Sequence, residues 1–236
     1  GEERLFMISV IIPVYNGEKY IHALVHSFEK QIEKDFELIF TNDGSTDHSL
    51  ETLNDIKNRA NLNITIIDQK NAGVSAARNA GIRASKGELL CFCDVDDRVT
   101  EDYLFEMRKT IETANVDLVF CKYKQIHLDG TDITSTTPES GELTITDSLT
   151  CLKDFLYGRM TTGIWTIMVK KERLINNQLW FAEGYKYGED IHMLWRLISK
   201  SRKIAYLDKR LYIYQLQENS ATAKFDGERL QVYTLM

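Results

Sequence analysis

Three carboxylates, Asp94, Asp96 and Asp97, stand within four residues at the end of the apolar run Glu88–Cys93. Three like charges this close repel one another, and need a cation or strong hydrogen bonding to remain together. A buried strand stopping at such a cluster places hard oxygen ligands at the carboxyl end of a sheet, where open α/β folds bind ligands. The chemistry expected is a divalent cation with phosphate oxygens. The bland alternative is a solvated acidic turn.

Three earlier turns bring complementary groups. Tyr15 and Asn16 follow the first apolar strand, and a tyrosine there can stack on a flat base or simply be a partly buried turn aromatic. Asp43 follows the second strand. Its carboxylate can accept a hydrogen bond from a pyrimidine N–H, or serve turn chemistry, to which Asp47 is assigned. Asn71-Ala72-Gly73 opens a helix whose free N–H groups favour an anion. Arg78, two turns further on, either points back to that site or pairs with the acidic cluster. Late in the chain Glu189 and Asp190 start another helix. They suit the helix dipole as they stand, or one acts as a general base. His192 is a weak metal-ligand candidate. Trp165, after a glycine, is the tryptophan expected to line a pocket and pack on a sugar ring; Trp180 and Trp195 are assigned to the core.

The elements that must position these groups alternate. Strands are expected over 8–14 (Pro13 marking its end), 36–40, 62–67, the run before Asp94, and 116–123. Helices are expected over 18–31, up to Arg59 from a cap at Ser45 or Thr46, 74–84 and 101–114. This rhythm argues for βαβ units and a mostly parallel sheet flanked by helices. After residue 125 it changes. Residues 127–147 read as a loop or small hairpin, 148–157 as a helix and 163–169 as a strand. A helix over 188–199 should turn Ile191, Leu194, Trp195 and Ile198 to the core. Short strands over 203–207 and 210–214 and a partial helix over 225–236 complete the reading. No Pro/Gly-rich linker divides the chain, so one continuous domain is expected, its second half supplying one wall of the site.

The 236 residues carry a formal net charge of −6, with 43% hydrophobic and 27% charged residues. That is an ordinary globular composition, and the acidic balance disfavours a broad nucleic-acid surface. No apolar run is long enough to span a membrane. The four cysteines lack C-x-x-C spacing; buried free thiols in a reducing compartment are expected rather than zinc or a disulfide. Residues 1–7 are set aside as a leader, and the chain is expected to continue past Met236.

Taken in order, Val10-Ile-Ile-Pro-Val-Tyr-Asn16, Asn42-Asp-Gly-Ser-Thr-Asp47, Asn71-Ala-Gly-Val-Ser-Ala-Ala-Arg-Asn-Ala-Gly81, Asp94-Val-Asp-Asp97 and Gly188-Glu-Asp190 resemble the motifs of the family 2 glycosyltransferases. The resemblance implies a GT-A, Rossmann-like α/β fold with a nucleotide-sugar half over 8–125 and an acceptor-side half over 126–236. It implies an inverting transfer from a nucleotide sugar, chiefly a UDP-sugar, to a hydroxyl of a glycan or glycoconjugate, in bacterial surface polysaccharide or glycoprotein glycan synthesis. The donor would be held by Pro13, Tyr15, Asn16, Asp43, Asn71, Gly73, Arg78, Asp94 and Val95. Asp96, in the D-x-D motif, would bind Mn²⁺ or Mg²⁺. Asp190 would be the catalytic base, with Trp165 and Glu189 on the acceptor side. The enzyme would be cytoplasmic, at the inner membrane face, with peripheral association through a part beyond Met236. Near Tyr212–Ser220 the chain departs from the pattern: glutamines, Gln215 and Gln217, stand where relatives carry a phosphate-binding His or Arg. The competing functions are a nucleotidyltransferase, which would carry a glycine-rich phosphate loop after its first strand, and a non-catalytic sugar-nucleotide-binding module.

Overall fold

The computed structural model describes residues 6–216 apart from 161 and 186. The helix expected over 225–236, and Gln217, lie outside these. The first half alternates strand and helix: β1 (Ile8–Val14), α1 (Glu18–Glu29), β2 (Phe36–Asp43), α2 (Ser49–Arg59), β3 (Asn63–Gln69), α3 (Val74–Ala84), β4 (Leu89–Phe92), the two-residue β5 (Arg98–Val99) and α4 (Tyr103–Ala114). Then come β6 (Leu118–His127), β7 (Leu143–Thr146), α5 (Ser148–Leu156), a 3-10 turn (Ile164–Thr166), β8 (Ile167–Lys170), α6 (Lys171–Asn176), α7 (Glu189–Lys200) and β9 (Ile204–Leu216).

A single sheet runs through both halves, in the order β3-β2-β1-β4-β8-β6-β9-β5, with β7 on β9. The β3-β2-β1-β4 portion is parallel. β8 then runs antiparallel to both β4 and β6, so β6 points the same way as β4. β6 and β9 pair in parallel, and β5 and β7 add to β9 antiparallel.

Period-two alternation divides the core. Val10 and Ile12 of β1 face a cluster completed by α1, α2 and α4, whereas Ile11 faces a second cluster built with α3, α6 and α7. β1 and β2 are buried almost throughout, as befits strands covered on both faces. The helix α3 lies close on β1 because its inner face is small: a methyl added at Gly81 would meet Ile11 Cγ2 at 2.6 Å.

Several expectations need correcting. The second helix starts at Ser49, and Asp47 rather than Ser45 or Thr46 closes the turn before it, accepting from Ser49 N at 3.0 Å and Ser49 Oγ at 2.6 Å. The inner face of α7 is Met193, Leu194, Leu197 and Ile198, while Ile191 is exposed. The two short C-terminal strands are one, β9. Asp208 and Lys209, which read as a break, occupy a register shift against β6 between Leu207 and Arg210. All four cysteines are free and buried. Burial pushes the Cys91 thiol up to about 12. Among the described residues no helix is long and apolar enough to cross a membrane.

Candidate active site

The acidic turn sits between β4 and β5. Since β5 pairs with β9 through Arg98–Ile213 and Val99–Tyr212, the turn is clamped against β9. Its three carboxylates have separate fates. Asp97 is buried, accepting from Tyr212 Oη at 2.7 Å and from the Gln215 amide at 2.8 Å. Burial, reinforced by the charges of Asp94 and Asp96, raises its pKa well above the ordinary carboxylate value. The Tyr212 hydroxyl also receives the Asp94 N–H at 3.1 Å, so one phenol ties both ends of the turn. Gln215 accepts from Arg98 and donates to Ile126 O at 3.0 Å, which makes it a brace of the acidic turn.

Asp94 and Asp96 keep partial exposure. Among the described residues no three His, Cys, Asp or Glu side chains form a metal-holding group. A magnesium-type ion takes one or two carboxylates and completes its octahedron with substrate phosphates and water. The donor set, all carboxylate oxygen, suits Mg²⁺ or Mn²⁺.

Arg78 resolves the choice left open by its spacing: it pairs with the acidic turn. Its guanidinium, 4% exposed, lies 3.0 Å from Asp94 and 3.0 Å from Glu189 at the start of α7. Burial alone would lower the pKa of this arginine, but the charges of Asp94, Glu189 and Asp190 outweigh it and raise the value. For Glu189 burial dominates and raises the carboxyl, against the opposing charge of Arg78. The adjacent Asn79 ties the same helix to the approach of α7. Its amide oxygen accepts from Phe181 N at 2.9 Å, and its Nδ2 donates to Phe181 O and Glu183 at 2.9 Å each. The Phe181 ring meets Phe92 edge-on and lies under the guanidinium, 5.3 Å from centroid to Cζ. Burial, and secondarily Arg196, lowers the pKa of His192. Asp190 is half-buried, and its Oδ1 accepts the Ile191 amide at 2.8 Å.

The other turns are knotted together at the same rim. Asn16, in the left-handed region at φ 49°, donates its N–H to Ser45 Oγ at 3.0 Å and accepts from Thr46 N at 2.8 Å. Asp43, 3% exposed, accepts from Gln69 Nε2 at 2.7 Å and from the Ala72 and Gly73 amides at 2.9 Å each. Two of these bonds fall on Oδ1 and one on Oδ2, which leaves Oδ2 acceptor capacity for an incoming donor. Val95 packs into the first turn: a methyl on Gly17 would meet its Cγ1 at 2.9 Å. Pro13 is half-buried beside Thr41 in the parallel ladder. Asn71 crosses over Gly44, its amide N 2.6 Å from the place a Gly44 methyl would take. Tyr15 is 54% exposed and Gly73 has no atom within 4 Å of a would-be Cβ, so both face open space.

Trp165 lies in an aromatic group, stacked on Tyr212 at 4.8 Å and Tyr214 at 5.2 Å and edge-on to Tyr123 at 4.7 Å. Tyr212, Asn79 and Tyr123 carry no site role in the sequence reading, and Gln215, placed there where a phosphate contact is expected, instead braces the acidic turn. The alternation Tyr212-x-Tyr214 on a strand, and a polar pair on the small-residue helix α3, were the signals that could have found them.

The family model described as Glycosyl transferase family 2 matches residues 9–171. Among curated proteins, the chain is 31% identical to the uncharacterized glycosyltransferase EpsJ of Bacillus subtilis, over 92% of this chain and 63% of that one. It is 26% identical to the poly(ribitol-phosphate) beta-N-acetylglucosaminyltransferase TarS of Staphylococcus aureus, over 89% of this chain and 35% of that one. The chain thus spans less than two thirds of the length of these relatives. Among solved structures, S. aureus TarS 1–349 in complex with UDP-GlcNAc superimposes with a TM-score of 0.81 at 25% identity, covering 97% of this chain and 64% of that one.

Proposed function

Since this chain belongs to glycosyl transferase family 2, we propose that it transfers a sugar, with inversion, from a UDP-sugar to a hydroxyl of a glycan or glycoconjugate in the assembly of a bacterial surface polysaccharide. The observation that carries this reading is the buried Arg78 joining Asp94 of the acidic turn to Glu189 of the late acidic pair. A solvated acidic turn has no use for a buried arginine shared with a second carboxylate, whereas a donor site walled by both halves of the chain does. The TarS structures determined with UDP-GlcNAc and with UDP add support for a UDP-sugar donor.

In this reading Tyr15 stacks on the base and Oδ2 of Asp43 takes a base N–H, while Pro13, Asn16 and Val95 shape the floor beneath it. Asn71 and the open backbone at Gly73 flank the nucleoside, and Arg78 holds Asp94 toward the ribose. Asp96 would hold Mn²⁺ or Mg²⁺, which would supply charge neutralisation to the departing UDP. Asp190 takes the proton of the acceptor hydroxyl through the carboxylate oxygen that its own helix does not use. The hydroxyl oxygen bonds to the anomeric carbon as the bond from that carbon to the diphosphate breaks on the opposite face. Trp165 and Glu189 stand on the acceptor side of the reacting centre. Residues 8–125 supply the donor half and the remainder the acceptor half of one domain.

The test is UDP release from a panel of UDP-sugars, UDP-GlcNAc among them, with Mn²⁺ or Mg²⁺ and with and without glycan acceptors. Acceptor-stimulated release of UDP supports the proposal. Pyrophosphate formation from UTP and a sugar phosphate would replace it with nucleotidyl transfer, and UDP binding with neither reaction would leave a binding module.

A further inference from the structure

The chain carries a net charge of −6, yet lysines and arginines gather at the edge of the sheet opposite the acidic turn. The strand registers place them there. Lys170, the last residue of β8, stands opposite Leu89, the first of β4, and Leu118 and Ile204 begin β6 and β9 side by side. The helices α3 and α7 end at this edge too, because both start on the side where Arg78 and Glu189 meet. Cations at their ends complement the exposed carbonyls of the last turns.

Bonds between these segments make one continuous surface. Asp117 lies 3.7 Å from Lys170 and 3.2 Å from Arg173, accepts the Arg202 N–H at 2.9 Å and donates its own N–H to Lys203 O at 2.8 Å. Lys171 Nζ donates to Ser85 O, which brings α6 to the end of α3. Trp180 joins α3 to α7: Arg83 lies over its ring at 5.0 Å, and Arg196 donates to its carbonyl oxygen at 3.1 Å. The carboxylates bonded into this surface are already engaged. Asp117 is held as described, Glu172 lies 3.2 Å from Arg173, and Glu88 accepts the Met7 amide at 3.0 Å. Around them Arg83, Lys86, Lys200, Arg202 and Lys203 are exposed. Ile175, one turn beyond Lys171 on the same side of α6, is 43% exposed among these cations.

We propose that this surface binds an anionic phospholipid bilayer. Long basic side chains from several separate elements suit a plane of diffuse negative charge, where no fixed pairing geometry is needed. An exposed isoleucine among them can enter the boundary between headgroups and acyl chains. The rest of the chain is net negative and is repelled by the same lipids, so this edge approaches first and the molecule is oriented. α7 starts at the late acidic pair and ends on the basic surface, 12 residues further on, a rise of about 18 Å. The carboxylates Asp94 and Asp96 thereby stay clear of the repelling lipid charge, and the edge that carries them faces away from the bilayer. This binding needs only charge and placement, so it stands or falls apart from the transfer reading.

The experiment is cosedimentation of the full chain with vesicles of phosphatidylcholine alone, or of equal parts phosphatidylcholine and phosphatidylglycerol, at low and at high salt. Binding should appear with phosphatidylglycerol only and be lost at high salt. Lys200→Glu combined with Arg202→Glu, both at exposed positions, should lower the vesicle partition coefficient by roughly tenfold or more. Lys57→Glu combined with Lys109→Glu makes the same change of net charge on α2 and α4, which cover the other face of the sheet, and should cost much less. Thermal unfolding checks that both variants fold. Equal binding to the two vesicle types, binding to neither, or an unchanged partition coefficient in the Lys200→Glu/Arg202→Glu variant overturns the proposal. Equal losses in the two variants overturn it as well, because net charge rather than this surface would then govern binding. Salt-sensitive binding of polyglutamate without vesicle binding would assign the surface to an acidic protein instead.

Discussion

Asp94 and Glu189, from opposite halves of the chain, each lie 3.0 Å from the same guanidinium, that of Arg78. The arginine is nearly inaccessible, whereas a third of the Asp94 side chain remains exposed. One planar fork thus fixes the distance between the strand-end acidic turn and the start of α7. A lysine could not replace it, because an ammonium lacks two divergent planar donor edges.

Arg78→Met leaves both carboxylates without their cation, and breaking a buried pair in this way costs about 3–5 kcal/mol. The pH dependence has a definite sign. Burial already raises the Glu189 carboxyl, and Arg78 opposes that rise, so removing Arg78 lifts it further. A carboxyl whose folded value is raised stabilises the fold fully below its unfolded value and loses that contribution as pH rises through the folded value. The gap between wild type and Arg78→Met should therefore be smallest in mild acid and widen toward neutral pH. Urea unfolding across a pH series measures it; a gap independent of pH would show that Glu189 is not the group left uncompensated.

Tyr212→Phe keeps the ring on Trp165 but removes the hydroxyl that donates to Asp97 and accepts the Asp94 amide. Leaving those buried groups unsatisfied costs about 1–3 kcal/mol. Under the proposed function the loosened turn should also raise the Mn²⁺ concentration needed for half-maximal activity by up to roughly tenfold, as loss of outer-shell support to metal ligands does. The measurement is a metal titration at saturating donor. A purely structural tyrosine would lower Tm without moving that midpoint.

Two glycines should respond differently to alanine. Gly73 adopts φ 91°, with nothing within 4 Å of an added methyl. Its cost is backbone strain of about 1–3 kcal/mol, carried in a turn that Asp43 anchors, so UDP affinity should fall along with stability. Gly81 is strained by its neighbour, Ile11 Cγ2 at 2.6 Å. Overpacking there costs about 1–3 kcal/mol, partly offset by about 1 kcal/mol of helix propensity, with UDP affinity unchanged. Thermal unfolding paired with UDP calorimetry separates the two.

The parallel half was legible because each of its strands is a short apolar run closed by turn residues, and α1, α2 and α4 each bury one face. The helix expected over 74–84 has those bounds in the structure. What was hidden depends on pairing between distant segments. Nothing local to Tyr212 or Gln215 announces that β9 clamps the acidic turn, since that follows from β5 adding to β9. The register shift at Asp208 likewise looks like a break in sequence and is a continuation in space, because the partner strand β6 absorbs it. Glu189 read as an acceptor-side residue, and its contact with Arg78 comes from α3 and α7 covering the same face of the sheet.

The division of labour between Asp96 and Asp190 gives the sharpest separation of roles. Asp96→Asn removes the proposed cation ligand without disturbing the buried bonds of Asp97. UDP binding should then lose its enhancement by Mn²⁺ and transfer should fall to background, with Tm near wild type. Full activity would refute the metal assignment. Asp190→Asn is isosteric, and its side-chain oxygen can still accept the Ile191 amide that now bonds Oδ1. If Asp190 is the base, donor affinity should persist while kcat drops by roughly 10²–10⁴-fold, the span of general-base contributions. Equal losses in donor affinity and turnover would instead mark Asp190 as a structural residue of the α7 start, and Glu189, raised by burial and 3.0 Å from Arg78, would become the next carboxylate to test.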